Sequence, residues 1–287
     1  MRPGQLPATA FFLPAAQGAR FCLYHPPHPA LPCRGAYVYA PPFAEEMNRS
    51  RRMAALQARA LAAAGFGVLQ IDLFGCGDSA GNAAQANWQC WKTDLVLAQQ
   101  WLRTQLQVPV GLWGLRLGAL LALEVAHDHP ADTNALILWN PVLDGQAFLT
   151  QFLRLRLASE ISERQPGDTA LQTKDLRALL QAGHTLEIAG YDLSPALGLA
   201  IDARNAAILA PRTIPLHWLE LVRSEESTLS AAQQRLVQQW QQQQVALDVQ
   251  LLVGPAFWNS VETTISAELI EKTCALATMI SQSEVAQ

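Results

Sequence analysis

Apolar and polar positions along the chain fall into two kinds of segment, short and mostly apolar runs and longer stretches with an apolar residue every three or four positions. Gly35–Ala40, Phe66–Asp72, Pro109–Leu115, Ala135–Trp139, Ile214–Val222 and Ala246–Val253 are runs of the first kind, and they predict strands, buried ones at Pro109–Leu115 and Ala135–Trp139. Between them lie helical patterns. One spans about Ser50 to Ala64, with Met53, Leu56, Ala60 and Leu61 on one face and Gly65 as its stop; others span about Trp88–Gln105, Ser230–Gln243 and Thr264–Ile280. Strand, helix and strand in alternation require right-handed parallel crossovers, so the fold class is α/β with a mostly parallel central sheet flanked by helices. Ahead of this, Thr9–Ala15 and Ala19–His25 flank a Gln-Gly turn and read as an antiparallel pair.

The pattern changes from Gln146 to about Ala210. Phe148–Leu157, Asp175–Leu180 and Ser194–Ile201 read as amphipathic helices with no strand between them, which predicts an inserted helical cap. The expected organisation is therefore a core of residues 1–145 and 211–287 and a cap or lid of residues 146–210. The glutamine run at residues 241–244 is read as a solvated helix end.

The stretch from Pro109 to Leu123 organises the rest. It predicts a buried strand, a tight turn and an apolar helix ending near His127-Asp-His-Pro130. Gly114-Leu115-Arg116-Leu117-Gly118 has the glycine spacing of G-x-S-x-G, the nucleophile elbow, in which small residues let the chain reverse sharply and lift one side chain at a helix N-terminus. The lifted residue here is arginine. A guanidinium stays protonated in proteins and cannot attack a carbonyl.

Composition narrows the function classes. A formal charge of −4, with no basic block beyond Arg49–Arg52, argues against nucleic acid as a partner. Five scattered cysteines without ligand spacing argue against a disulfide framework and a metal site, and fit a reducing compartment. No apolar run is long enough to span a bilayer and no export signal is evident, so a cytoplasmic location and no cofactor are expected.

With its elements in order, the chain resembles the α/β-hydrolase superfamily over nearly its whole length; Asp72-x-x-Gly75-x-Gly77-Asp78-Ser79 is similar to that superfamily's post-strand turn, and the cap sits where its lids insert. More narrowly, residues 41–52 (PPFAEEMNRSRR), 111–118 (GLWGLRLG) and 148–157 (FLTQFLRLRL) resemble the exosortase A system-associated hydrolase 2 family. That resemblance implies a bacterial protein working beside exosortase and exopolysaccharide genes, with proteins of that system as partners and an ester, thioester or other acyl compound as substrate.

The superfamily's reaction needs a nucleophile, a base, an orienting acid and oxyanion donors. Arg116 occupies the nucleophile position, and Val253-Gly-Pro-Ala-Phe-Trp258 fills the stretch where the resemblance implies a histidine. Glu225 and Glu226 lie where it implies the acid. Backbone donors survive side-chain change, and the resemblance implies them at Leu117 and at Phe43 or Ala44. Cys76, in the glycine-rich turn, is a candidate nucleophile, and His184 and His217 are further candidates to approach the cleft; His127 and His129 read as a helix end. A cation at a helix N-terminus invites an anion. For Arg116 that anion is either internal, from Glu45, Glu46, Glu225 or Glu226, or a ligand carboxylate or phosphate, with Arg154 and Arg156 of the cap assisting. Two functions stay open on these residues: an acyl hydrolase with an unconventional residue set, or an inactive homologue that binds a small acyl or anionic ligand or a protein partner under the cap.

Overall fold

The computed structural model describes residues 6–163 and 171–285. Eight strands form one sheet, β1 (Thr9–Leu13), β2 (Arg20–His25), β3 (Gly35–Ala40), β4 (Phe66–Ile71), β5 (Val110–Leu115), β6 (Leu136–Trp139), β9 (Leu216–Val222) and β10 (Leu247–Val253). A second sheet is a small hairpin of β7 (Leu186–Ile188) and β8 (Tyr191–Leu193). In the large sheet the order is β1-β2-β4-β3-β5-β6-β9-β10. Only the β1–β2 and β2–β4 pairs are antiparallel, so the strands from β4 across to β10 all end at one edge. This is the α/β-hydrolase architecture that the order of elements predicts.

Successive side chains on a strand point to opposite faces, so each buried run feeds two cores. Val38, Leu112, Leu136, Leu138 and Trp218 pack with α2 (Trp88–Leu106) and α3 (Leu117–Asp128) on one face. Tyr37, Tyr39, Trp113, Leu115, Ile137 and Trp139 pack on the other, against α1 (Glu45–Ala63) and α8 (Ala267–Val285). Trp139 is fully buried and its indole N–H donates to Thr273 Oγ1 of α8 at 3.0 Å, which satisfies the one polar atom it carries inside. Among the described residues no helix is long and apolar enough to cross a membrane.

The segment after β6 carries α4 (Gly145–Glu163), α5 (Thr173–Gln181), the β7–β8 hairpin and α6 (Pro195–Asp202); residues 164–170 of the expected cap lie outside the described residues. The helices match the amphipathic reading, but the hairpin corrects the expectation of a strand-free insertion. Leu186, Ile188 and Leu193 bury one side of it, while the turn residues Ala189 (φ 49°) and Gly190 (φ 82°) lie in the left-handed region that tight hairpins require. Three-residue strands are too short to show a period in sequence. The two ends of the segment are tied together, Gly145 N–H to Arg204 O and Ala206 N–H to Leu143 O, both at 2.8 Å. Arg204 also reaches Glu124 of α3, which accepts from Trp88 Nε1 (2.8 Å), Lys92 Nζ (3.0 Å) and Arg204 Nε (3.0 Å). A further helix, α7 (Ala231–Gln242), precedes β10. A second correction matters for the site: α1 starts at Glu45, five residues before the expected Ser50, because Ala44 turns the chain at φ 52° and lets two glutamates fill a helical first turn.

Candidate active site

The elbow is built as its glycines require. Arg116 ends β5 and caps α3 with φ 56° and ψ −119°. A Cβ on Gly114 would stand 2.6 Å from Ala119 Cα, and one on Gly118 would overlap the carbonyl oxygens of Ala40 and Pro41, so only glycine lets strand, turn and neighbouring loop approach so closely. Arg116 holds its turn through its backbone, accepting from Ala119 N–H and Val142 N–H, both at 3.1 Å.

Its side chain lies between three elements. Nε donates to Glu46 Oε1 of α1 at 3.2 Å, Nη1 donates to the Asn140 carbonyl at 3.3 Å, and the guanidinium carbon stands 5.5 Å from the Trp258 ring centroid. The Arg116 side chain keeps 25% of its surface exposed and that of Glu46 17%. Asn140 is fixed in turn, its side-chain oxygen accepting from Leu221 N–H at 2.9 Å. Glu46 is held singly: Oε2 is buried without a hydrogen-bond partner among the described residues. Burial pushes its carboxyl above the usual range, and Arg116 pulls part of the way back. Glu220 on β9 is a second carboxylate within Arg116's field. Burial pushes it up as well, while Trp218 Nε1 (2.7 Å) and Gln233 Nε2 (2.9 Å) donate to it.

Above this group opens a cleft of about 710 Å³, lined by Glu45, Glu46 and Arg49 of α1, Arg116, Trp258 and Asn259, residues 141–144, and Phe148, Gln151, Phe152 and Leu155 of α4. Aromatic and aliphatic walls with a few charged groups at one end suit a ligand with an apolar body and one polar terminus. The cap is fastened across the cleft. Tyr191 O–H donates to Glu45 Oε2 at 3.0 Å and accepts from Asn48 Nδ2 at 2.6 Å, while Arg49 bonds Glu45 at 3.1 Å and the Asn259 carbonyl at 3.0 Å.

The expected oxyanion residues do meet. Phe43, Ala44 and Leu117, with Cys76, line a small void of about 10 Å³, close to one water in size. Leu117 opens α3, so its N–H has no acceptor within the helix. Cys76 is a poor nucleophile here: burial, Asp72 and Asp94 push its thiol up to about 12, and no histidine lines this void. Glu225 and Glu226 are exposed on the turn after β9, and the carboxylate that pairs with Arg116 is Glu46 instead. Arg154 bonds Gln151 within α4, and Arg156 donates to the Glu187 carbonyl; neither lines the cleft. His184 is exposed after α5, and His217 sits at the start of β9, far along the strand from the site edge, 3.3 Å from Asp248. Neither serine nor histidine lines the cleft among the described residues, nor does any group of three or more His, Cys, Asp and Glu suit a metal ion there.

Residues 38–182, just over half of the chain, match the profile of the serine aminopeptidase S33 family. The chain belongs to that family. Solved structures with the same fold include Est1E from Butyrivibrio proteoclasticus (12% identity, 97% of this chain and 99% of that one, TM-score 0.64). A highly thermostable carboxyl esterase from Bacillus coagulans aligns at 14% identity over 96% of this chain and 99% of that one, with TM-score 0.67. A monoglyceride lipase from Saccharomyces cerevisiae aligns at 11% identity over 98% and 97%, with TM-score 0.63. No curated protein sequence matches the chain. The matched residues include the elbow and its two glycines, and the residue at the elbow is Arg116.

Sequence patterns do not single out Asn140, Glu220, Trp258, Arg49 or Tyr191. Asn140 and Trp258 carry a signal, since each follows the end of a parallel strand, where α/β sites lie. Glu220 and Tyr191 carry none, because their relation to Arg116 and Glu45 exists only across long separations.

Proposed function

We propose that this S33-family chain is a non-hydrolytic member of the α/β-hydrolase fold, whose cleft holds the carboxylate of an acyl compound. The observation that carries this reading is Arg116 at the elbow, lining the cleft with two of its five N–H groups bonded among the described residues. A guanidinium binds a carboxylate bidentately but performs no acyl transfer. The resemblance in residues 41–52, 111–118 and 148–157 supports a role beside an exosortase A and exopolysaccharide system in the bacterial cytoplasm, with proteins of that system as partners. The second reading, an acyl hydrolase with an unconventional residue set, is favoured by family membership itself.

One experiment separates them. Wild type, Arg116→Ala and Cys76→Ala are assayed against activated acyl esters and thioesters, and 4-phenylbutyrate binding is measured by calorimetry alongside. Binding that is lost in Arg116→Ala, with ester turnover at the buffer rate in all three, is the expected result. Saturable turnover abolished by either substitution would establish the hydrolase instead.

A further inference from the structure

The charges around Arg116 do not favour an anion as they stand. Two cations line the cleft, Arg49 and Arg116, against three carboxylates, Glu45, Glu46 and Asp144, and Glu220 lies within reach of Arg116 behind them. A ligand carboxylate arriving alone would deepen that imbalance in a partly desolvated site. One group is arranged to relieve it. Glu46 touches Arg116 through a single oxygen at 3.2 Å, and its other oxygen is buried with no partner among the described residues.

We infer that the cleft takes up a carboxylic acid together with its proton: the ligand's carboxylate replaces Glu46 on Arg116, and Glu46 receives the proton. This rests on the carboxylate-binding reading above. The step balances, since RCOO⁻ and H⁺ enter together, no covalent bond changes, and the charge of the site is unaltered. The other groups that face Glu46 are poorer acceptors for that proton. Tyr39 of β3 is buried and its phenol is held far above neutrality by burial and by Glu46, so it carries its proton already. Glu45, the neighbour on α1, is bonded to Arg49 and Tyr191. Glu220 of β9 accepts from Trp218 and Gln233, which remain when a ligand binds. Among the described carboxylates Glu46 is the one that Arg116 bonds directly, and that contact offsets part of its burial. Surrendering Arg116 leaves it buried beside a second carboxylate, the condition under which a carboxyl holds its proton near neutral pH. The same charge count disfavours a phosphate dianion, which needs a second proton or a further cation.

Calorimetry of the full chain with 4-phenylbutyrate, from pH 6 to 8.5 in phosphate and in Tris, tests this. The range lies above the ligand's own pKa of about 4–5. The expected result is a binding heat that depends on the buffer and corresponds to about one proton taken up, with Kd weakening by up to about tenfold per pH unit. Phenyl phosphate should not displace the ligand. Glu46→Gln, which keeps an acceptor for Arg116, should bind with no proton uptake and a Kd independent of pH. Buffer-independent heat in the wild type overturns the inference while leaving the carboxylate reading intact, and it does so without any variant. Uptake that persists in Glu46→Gln and vanishes in Glu220→Gln moves the proton to Glu220 and also overturns it. No binding at any pH removes both the inference and the reading beneath it.

Discussion

Replacing Arg116 by glycine sets two effects of similar size against each other, and pH decides between them. The backbone conformation at φ 56° and ψ −119° costs a non-glycine residue roughly 1–3 kcal/mol, and glycine recovers it. Against this, Glu46 loses its cation while still largely buried. Removing one partner of a fully buried pair costs about 3–5 kcal/mol, and an exposed pair is worth about 0–1 kcal/mol. With side-chain exposures of 25% and 17%, this pair falls between them, at about 2 kcal/mol by those same limits. The pH dependence follows from Glu46. Its carboxyl is raised in the folded state by burial, with Arg116 opposing, so the folded chain binds that proton more tightly than the unfolded one. Stability is therefore lost as pH climbs from the unfolded value of about 4.3 to the folded value. Removing Arg116 lifts the folded value further and lengthens that interval. Arg116→Gly should gain on wild type at pH 5, close to the unfolded value of Glu46, where losing the cation costs least and the backbone gain weighs most. By pH 8 it should be level or less stable. Urea unfolding at the two pH values measures the difference directly. An equal change at both would refute the reasoning, because Glu46 would then not be the group that Arg116 offsets.

Other sites give independent checks. Asp94→Ala strands Arg20, whose Nε it accepts at 2.7 Å with both side chains at most 3% exposed, and frees the Phe74 N–H it also holds; the expected loss is about 3–5 kcal/mol in urea unfolding, and a loss under about 1 kcal/mol would show that the pair is solvated. The Cys76 thiol, raised to about 12, stays protonated and therefore unreactive near pH 8. Peptide mapping after iodoacetamide should find Cys76 unmodified in the native chain and modified in urea; rapid native alkylation would return it to candidacy as a nucleophile. Gly145→Ala drives a Cβ into the Ile201 carbonyl oxygen, where the two ends of the cap segment meet, at a cost of about 1–3 kcal/mol. Limited proteolysis should then cut within the cap sooner than in wild type, and an unchanged pattern would mean that the seat tolerates the group.

Arg116 is legible from the amino-acid order alone because glycine spacing has a local cause. Gly114 and Gly118 have no alternative where backbone must pass backbone, so a five-residue window carries the whole elbow, whereas Phe43, Ala44 and Leu117 are implied only by the superfamily resemblance. The partner of Arg116 is not legible in the same way. Four glutamates are candidates, and the choice among them turns on where α1 begins. Starting at Glu45, the helix turns Glu45 outward to Arg49 one turn later and Glu46 inward to Arg116. Ser50 looks like the start because apolar periodicity begins there, whereas the first turn is polar.

The sequence by itself determined the alternation that makes the sheet parallel, the burial of its central strands, the inserted segment and the identity of the residue lifted at the elbow. These rest on interactions within one element or between neighbours in sequence, where period and turn chemistry leave few choices. The tertiary structure decided which carboxylate meets Arg116, that Trp258 and Asn140 enclose it, that the half-buried Cys76 thiol is pushed up to about 12, and that a short hairpin fastens the cap through Tyr191. Each of these joins residues far apart in the chain, and one turn of helix or a few residues of loop is enough to send a side chain to a different partner.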